Sequence, residues 1–179
     1  NISRDLPIII NDSKAVLKVT YIDDLLDHFI NKIDGSDCDP IWQKIEKVYE
    51  ITIGELAKQI KAFKTCRTDL TFERVGTGLV RALYATYISY LPPEKFAYEI
   101  PSHGDTRGIF AELFKSPDAG QVSFFSIVPG VTRGSHYHHT KTEKFCLISG
   151  KALIRFRHLS SNEKYEVVLG TDRLQVVDT

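Results

Sequence analysis

The sequence predicts an α+β fold, with helices in the first half of the chain and antiparallel strands in the second half. Apolar residues recur at helical spacing over 22–33, 56–63 and 72–91, whereas the second half shows short alternating runs separated by turn residues. A chain of 179 residues is long enough to bury one large core or two small ones. The change of pattern predicts two domains, over residues 1–95 and 96–179.

Two short strands and an amphipathic helix are predicted at the start of the chain. The apolar residues 8–10 predict the first strand, and alternation over 16–21 predicts the second. Over 22–33 the apolar side chains form one stripe at helical spacing, which Asp34 and Gly35 end. Carboxylates in the first turn interact favourably with the positive end of the helix dipole.

Two further helices follow. Thr52 and Glu55 have the spacing of a capping box, which predicts a helix start, and apolar residues continue at helical spacing to Phe63. The third helix is predicted over 72–91, ending before Pro92 because proline cannot continue a helix. Its tyrosines are at helical spacing, which predicts a place in the core or an interface: Tyr84, Tyr87 and Tyr90.

The second half of the chain has the pattern of a small antiparallel barrel. Residues 96–103 are predicted to form a linker or an arm, and strands follow from Asp105. The runs are short, rich in β-branched or aromatic residues and bounded by turns, at 121–128, 144–149, 152–156 and 165–169. They predict half of an antiparallel barrel or jelly roll.

Residues 129–150 contain a candidate metal site, in the spacing Gly-x5-His-x-His-x4-Glu-x6-Gly. Side chains two apart on an extended segment project from one face, so His136 and His138 can converge on one point. Glu143 can begin the next strand and supply an oxygen. Two imidazoles and a carboxylate suit a divalent transition metal with open positions for water or substrate. His139 is out of phase and is predicted to face away.

Composition excludes several classes of partner. Lys+Arg and Asp+Glu number 23 each, so the chain has no net basic field that would attract nucleic acid or anionic lipid. The sequence has no apolar run of membrane-span length and no signal peptide at its start. Cys38, Cys66 and Cys146 form no CxxC pair, which is typical of reduced, buried thiols. These observations predict a cytoplasmic protein that binds neither nucleic acid nor membrane.

The motifs of the two halves resemble two known families. The spacing over 130–150 resembles the first motif of the cupin superfamily. The segments VTYIDDLLDHF and ITIGELAKQI resemble the C-terminal, substrate-side part of the extended short-chain dehydrogenases/reductases, over about residues 1–95. The resemblance implies a C-terminal reductase portion followed by an incomplete antiparallel cupin, or jelly-roll, barrel.

Two motif matches to the reductases are not supported by their context. Gly76-Thr77-Gly78 has Arg81 in place of the third glycine of GxGxxG and lies in the predicted third helix, so it predicts no dinucleotide site. Tyr137 and Lys141 spell the reductases' YxxxK, but that pair requires a helix and here lies in the segment of the metal motif. We interpret it as coincidence.

Taken together, the two halves are similar to the capsular polysaccharide assembling proteins. DTRGIFAE at 105–112 and TRGSHY at 132–137 resemble cupin-fold epimerases of deoxy-sugar nucleotides, and HYHHTKTEKF and IRFRH match the assembling proteins closely. Such proteins combine a reductase domain with a zinc-binding cupin and make the nucleotide precursor of N-acetyl-L-fucosamine. The resemblance implies that the cupin epimerises the third carbon of a UDP-linked 4-oxo sugar and that the reductase reduces the oxo group with NADPH.

The chemistry of epimerisation predicts the roles of the site residues. Removing a proton next to a carbonyl requires a base within reach and a partner for the enolate, such as a metal acting as Lewis acid. The predicted residues are His136, Lys141 and Arg133 for catalysis, His136, His138 and Glu143 for the metal, and Arg107, Arg133 and Arg155 for the substrate.

The role of His136 is the point at which the resemblances disagree. The corresponding histidine is the base in metal-free sugar epimerases and a ligand in metal cupins, and a metal-bound imidazole cannot also accept the proton. We assign His136 to the metal, which leaves the base open among Lys141, His139 and His158.

The ends of the chain predict a piece of a longer protein. The sequence begins with Asn1 and stops at Thr179 before a second cupin motif, so we expect a poor enzyme when this piece acts alone. Exposed barrel edges favour a homodimer. Two alternatives stay open: a metal cupin of another class, such as a dioxygenase or phosphosugar isomerase, and a non-catalytic sugar-binding or dimerisation module.

Overall fold

The computed structural model describes residues 1–35 and 44–179, in two compact units, Asn1–Thr132 and Arg133–Thr179. It combines helices with antiparallel sheets, which confirms the predicted α+β class. Among the described helices, none has the length and apolar character needed to span a bilayer. The predicted domain boundary between residues 95 and 96 stays a prediction.

Two antiparallel sheets are formed by residues 1–35 and 44–132 of the first unit. Their strands are β1 (Val16–Val19) with β2 (Tyr49–Thr52), and β3 (Ser102–Asp105), β4 (Gly108–Ser116) and β5 (Gly120–Phe125) in that order. The predicted arm therefore ends in a strand, because residues 102 and 103 pair with Ala111 and Phe110 of β4. The predicted strand over 8–10 is wrong: Ile9 is 90% exposed and the segment has no regular secondary structure.

The described part of the first unit also contains three α-helices: α1 (Ile22–Asp34), α2 (Ile53–Asp69) and α3 (Gly78–Ser89). Short 3₁₀ turns lie at Ile2–Arg4 and Pro93–Lys95. The predicted capping box is confirmed at the start of α2. Glu55 N donates to Thr52 Oγ1 at 3.2 Å, and Thr52 N donates to Glu55 Oε2 at 3.1 Å. Two amides at the helix start thereby gain partners.

Helix α3 is shorter than predicted, because the chain before it is bonded to β4. Phe72 N donates to Lys115 O at 2.6 Å, and Lys115 N donates to Leu70 O at 2.8 Å. These bonds form an isolated parallel β-bridge between Thr71 and Lys115, and α3 begins only at Gly78. The Gly76-Thr77-Gly78 segment thus precedes the helix, contrary to the prediction that it lies inside one.

The core of the first unit forms where α2 packs against α3. Phe63 is fully buried and contacts Tyr87 and Leu91, and the Tyr84 ring meets it edge-on at 5.1 Å between ring centroids. Tyr84 and Tyr87 are therefore core residues, as predicted. Tyr90 is 59% exposed, because α3 ends at Ser89 and Tyr90 caps it.

Two features of burial among the described residues differ from what the sequence pattern alone suggests. Helix α1 has the predicted amphipathic pattern but no buried residue, and the large side chains of its stripe are exposed: Ile22, Leu26, Phe29, Ile30 and Ile33. Cys66 is half-buried and burial raises the pKa of its thiol, whereas Cys146 at the end of a short strand is exposed. Cys38 lies outside the described residues.

The second unit consists of two antiparallel pairs. Strands β6 (Lys144–Cys146) and β9 (Val176–Asp178) form one pair, and β7 (Lys151–Arg157) and β8 (Lys164–Gly170) form the other. Burial alternates along β7: residues 152, 154 and 156 are half-buried and their neighbours are exposed, as the sequence pattern predicts. Strand β9 was not predicted, because three residues are too few to show a period.

We expect the Phe63→Ala substitution to lower the free energy of unfolding by about 3–5 kcal/mol, because it empties a fully buried aromatic site. Phe29→Ala on α1 is the matched control, since Phe29 is 52% exposed, and it should cost less than about 1 kcal/mol. Urea denaturation measures both. Equal losses in the two variants would contradict this assignment of the core.

Asp5 predicts an acid-sensitive contribution to stability. Lys64 and Lys95 both donate to its carboxylate, and these interactions lower the pKa of Asp5 from 3.8 to about 2. A lowered folded-state pKa stabilises the fold above the unfolded value, and this contribution disappears as the pH falls through the folded pKa. Asparagine tolerates the left-handed backbone at this position, φ 59°, so Asp5→Asn removes the charge alone.

The Asp5→Asn variant should therefore be less stable than wild type above about pH 4, and the difference should shrink steadily as the pH falls from 4 to 2. Thermal melting across this pH range measures the difference. A difference that stays constant down to pH 2 would show that the carboxylate charge is not its cause.

Candidate metal centre

The segment before β6 brings the histidines of the metal motif into pairs. Residues 133–143 have no helix or strand assigned, and the chain enters β6 directly after Glu143. The rings of His136 and His138 lie 4.9 Å apart, and those of Tyr137 and His139 lie 5.0 Å apart, centroid to centroid. Side chains two residues apart thus contact each other, which is the alternation predicted for an extended segment.

Three side chains offer ligand atoms that lie within 4.8 Å of one another: His136, His138 and Glu143. His138 Nε2 is 3.8 Å from Glu143 Oε1. The two histidines are exposed and Glu143 is half-buried, so solvent reaches the imidazoles more freely than the carboxylate. Two imidazoles and one carboxylate fit a divalent transition metal such as zinc, with room for further ligands.

Strand β9 positions Glu143. Glu143 N donates to Thr179 O at 3.2 Å, and Thr179 N donates to Glu143 O at 2.9 Å, which extends the β6–β9 ladder by one residue pair. Lys144 and Asp178 add an exposed ion pair beside it. The backbone of Glu143 is therefore held by a partner 36 residues away. No periodic pattern in the sequence indicates this strand.

Lys141 bonds directly to the carboxylate of the cluster. Its Nζ lies 2.8 Å from Glu143 Oε1. This hydrogen bond lowers the pKa of Glu143 below its usual value, with smaller contributions from His138 and His136 and an opposing one from burial. Glu143 is consequently ionised at neutral pH, as a metal ligand must be. The YxxxK pair has no helix here, as expected.

The predicted substrate cations have different surroundings. Arg107, in the first unit, is bound by Asp105, with 2.6 Å between Nη2 and Oδ2, and this partner raises the pKa of Arg107. Arg155 on β7 faces Glu166 across the hairpin, with 3.3 Å between Nε and Oε1. Arg133 is half-buried at the start of the second unit, three residues before His136.

The candidate bases are engaged in other contacts. Lys141 donates to Glu143, and a protonated amine cannot accept a proton. His158 lies in the turn between β7 and β8, where its Nδ1 accepts a hydrogen bond from Ser161 N at 3.2 Å. His139 packs against Tyr137 and is not part of the three-ligand cluster.

Comparisons with known proteins agree with the resemblance found in the sequence. The polysaccharide biosynthesis C-terminal domain family matches residues 103–179. A UDP-2-acetamido-2,6-beta-L-arabino-hexul-4-ose reductase of Pseudomonas aeruginosa is 46% identical over 179 residues, which is 100% of this chain and 48% of that protein.

Solved structures show the same relationship. The capsular polysaccharide assembling protein CapF from Staphylococcus aureus matches with a TM-score of 0.92 at 39% identity, over 99% of this chain and 48% of that one. CapF with the inhibitor 3-isopropenyl-tropolone matches with a TM-score of 0.94 at 38% identity, over 99% of this chain and 52% of that one. The chain spans about half the length of these relatives. Residues 103–179 therefore match the polysaccharide biosynthesis C-terminal domain, and the chain is similar in sequence and fold to half of the capsular polysaccharide assembling protein CapF.

Proposed function

We propose that the protein containing this chain is a bifunctional nucleotide-sugar enzyme of polysaccharide synthesis. Residues 1–95 would form the substrate-side part of a short-chain reductase domain, and residues 96–179 a cupin that epimerises the third carbon of a UDP-linked 4-oxo-6-deoxy-N-acetylhexosamine. The observation that carries the proposal is the convergence of His136, His138 and Glu143 in a chain 46% identical to a UDP-sugar reductase. The product would be the precursor of UDP-N-acetyl-L-fucosamine.

Epimerisation beside a carbonyl needs two things from the protein: stabilisation of the charge that develops on the oxo oxygen, and proton transfer at the neighbouring carbon. A bound zinc ion supplies Lewis-acid polarisation of a carbonyl oxygen. His136, His138 and Glu143 would hold it, and Glu143 is ionised for that role. Loss of the proton from one face of the third carbon and its return to the other face inverts that carbon, with no net change in atoms or electrons.

The half-buried Arg133 is the cation that we propose to orient the substrate within the second unit. A guanidinium group can bind a phosphate or an oxyanion through two parallel hydrogen bonds. We propose Arg133 because it lies three residues before His136 of the three-residue cluster. Arg155 and Arg107, which form ion pairs with Glu166 and Asp105, stay candidates as substrate contacts.

The second reaction would be reduction of the 4-oxo group. NADPH would transfer a hydride to the fourth carbon and a proton would go to its oxygen, giving a hydroxyl group and NADP⁺. The name of the reductase relative supports this reaction. The nucleotide-sugar substrate supports a cytoplasmic location, and the homodimer stays a prediction from exposed strand edges.

Metal content tests the proposed centre. Purified intact protein should contain close to one zinc ion per chain, and His138→Ala should lose most of it, because one of three protein ligands is removed. His139→Ala is the matched control, since His139 is an adjacent exposed imidazole outside the cluster. Elemental analysis measures all three. Equal zinc in the two variants would refute the ligand assignment, and no zinc in any of them would return His136 to the role of base.

Solvent exchange tests the epimerisation. In deuterated water, wild type should place deuterium at the third carbon of the 4-oxo sugar nucleotide, and Glu143→Gln should slow this by at least about tenfold, as expected for a damaged metal site. Reduction of an already epimerised substrate with NADPH is the control and should be retained, because it needs only the reductase domain.

Three results would count against this function. No exchange by wild type would refute epimerisation. Oxygen uptake with a small organic substrate would indicate a dioxygenase. Unchanged exchange in Glu143→Gln, with altered metal content, would show that the metal centre has no part in the reaction.

A further inference from the structure

Two side chains converge on one oxygen of the candidate metal centre. Lys141 Nζ lies 2.8 Å from Glu143 Oε1, and His138 Nε2 lies 3.8 Å from the same atom. Oε1 is therefore the carboxylate oxygen that faces the imidazole, and an ammonium group is hydrogen-bonded to it. The cluster contains a cation of its own at the position where the carboxylate would meet a metal.

We propose that Lys141 is an internal counter-ion, which occupies Glu143 in the metal-free site and leaves it when a divalent metal binds. This inference rests on the proposed metal centre. Two cations that share one carboxylate oxygen repel each other, so the metal and the ammonium group compete for Oε1. Lys141 accordingly weakens metal affinity and keeps the metal-free carboxylate neutralised.

The exposure and anchoring of the two side chains favour replacement of Lys141 by the metal over simultaneous binding of both cations to Glu143. The side chain of Lys141 is 50% exposed and that of Glu143 is 23% exposed. A lysine stem can carry its charge into water at small cost, and an ion pair of this exposure contributes little to stability. Glu143, by contrast, is anchored through its backbone to Thr179. The ammonium group is thus the partner that moves.

Lys144 provides a matched comparison within the same hairpin. It follows Glu143 directly, carries the same charge and is paired with Asp178 instead of Glu143. Adjacent side chains on a strand point to opposite faces, so Lys144 adds positive charge near the cluster without occupying Oε1. A variant of Lys144 therefore measures the long-range effect of charge removal alone.

The test is the zinc dissociation constant of metal-stripped intact protein, measured by competition with a chromophoric chelator. Lys141→Met should bind zinc about three- to fivefold more tightly than wild type, since the competing ion pair is gone. Lys141→Gln is a second variant with the same expectation. Lys141→Arg should stay within about twofold of wild type, because it keeps a cation at this position. Lys144→Met should do the same, because exposed charges without contact are screened.

Each other outcome overturns the inference. Equal or weaker zinc binding by both neutral variants would mean that Lys141 orients Glu143 for the metal instead of competing with it. If Lys144→Met tightened zinc binding equally, the effect would come from the loss of any nearby positive charge and not from the contact with Glu143. If wild type and all variants bind no zinc, both the metal centre and the inference are refuted. If wild type binds zinc and the removal of Lys141 does not tighten that binding, only the inference is refuted.

Discussion

The backbone pairing of Glu143 with Thr179 is the constraint on which the candidate metal centre depends. It places the carboxylate at the end of the β6–β9 ladder, where its two bonds of 2.9 and 3.2 Å fix the main chain. The histidines come from a segment without regular secondary structure and approach this fixed point. The ladder thus holds the backbone of the carboxylate residue, and the irregular segment contributes the two histidines.

The negative charge of Glu143 has a cationic partner only two residues away in the sequence, Lys141. Glu143 is half-buried and ionised, and Lys141 and His138 both lie near the same oxygen. An ionised carboxylate needs a nearby cation when it is partly removed from water. The same requirement keeps the carboxylate deprotonated, which is the state that a divalent metal would need in a ligand.

The first unit has a different organisation. Its core is an aromatic contact between α2 and α3, centred on Phe63, and the turn at Asp5 is joined to α2 through Lys64. Helix α1 has an apolar stripe but no buried residue. Amphipathic periodicity therefore shows which side of a helix is suited to burial, and it does not show that a partner covers that side among the described residues.

The sequence by itself determined the α+β class, the bounds of α1, the capping box of α2 and the three residues that converge, because each depends on local spacing or on side chains seven residues apart. Only the tertiary structure decided the rest: β9 and its hold on Glu143, the bridge from Phe72 to Lys115 that shortens α3, and the absence of a strand over 8–10. These features depend on hydrogen bonds between backbone groups 30 or more residues apart, or on the lack of a pairing strand. A backbone amide is the same group in almost every residue, so no pattern of side chains reveals its distant partner.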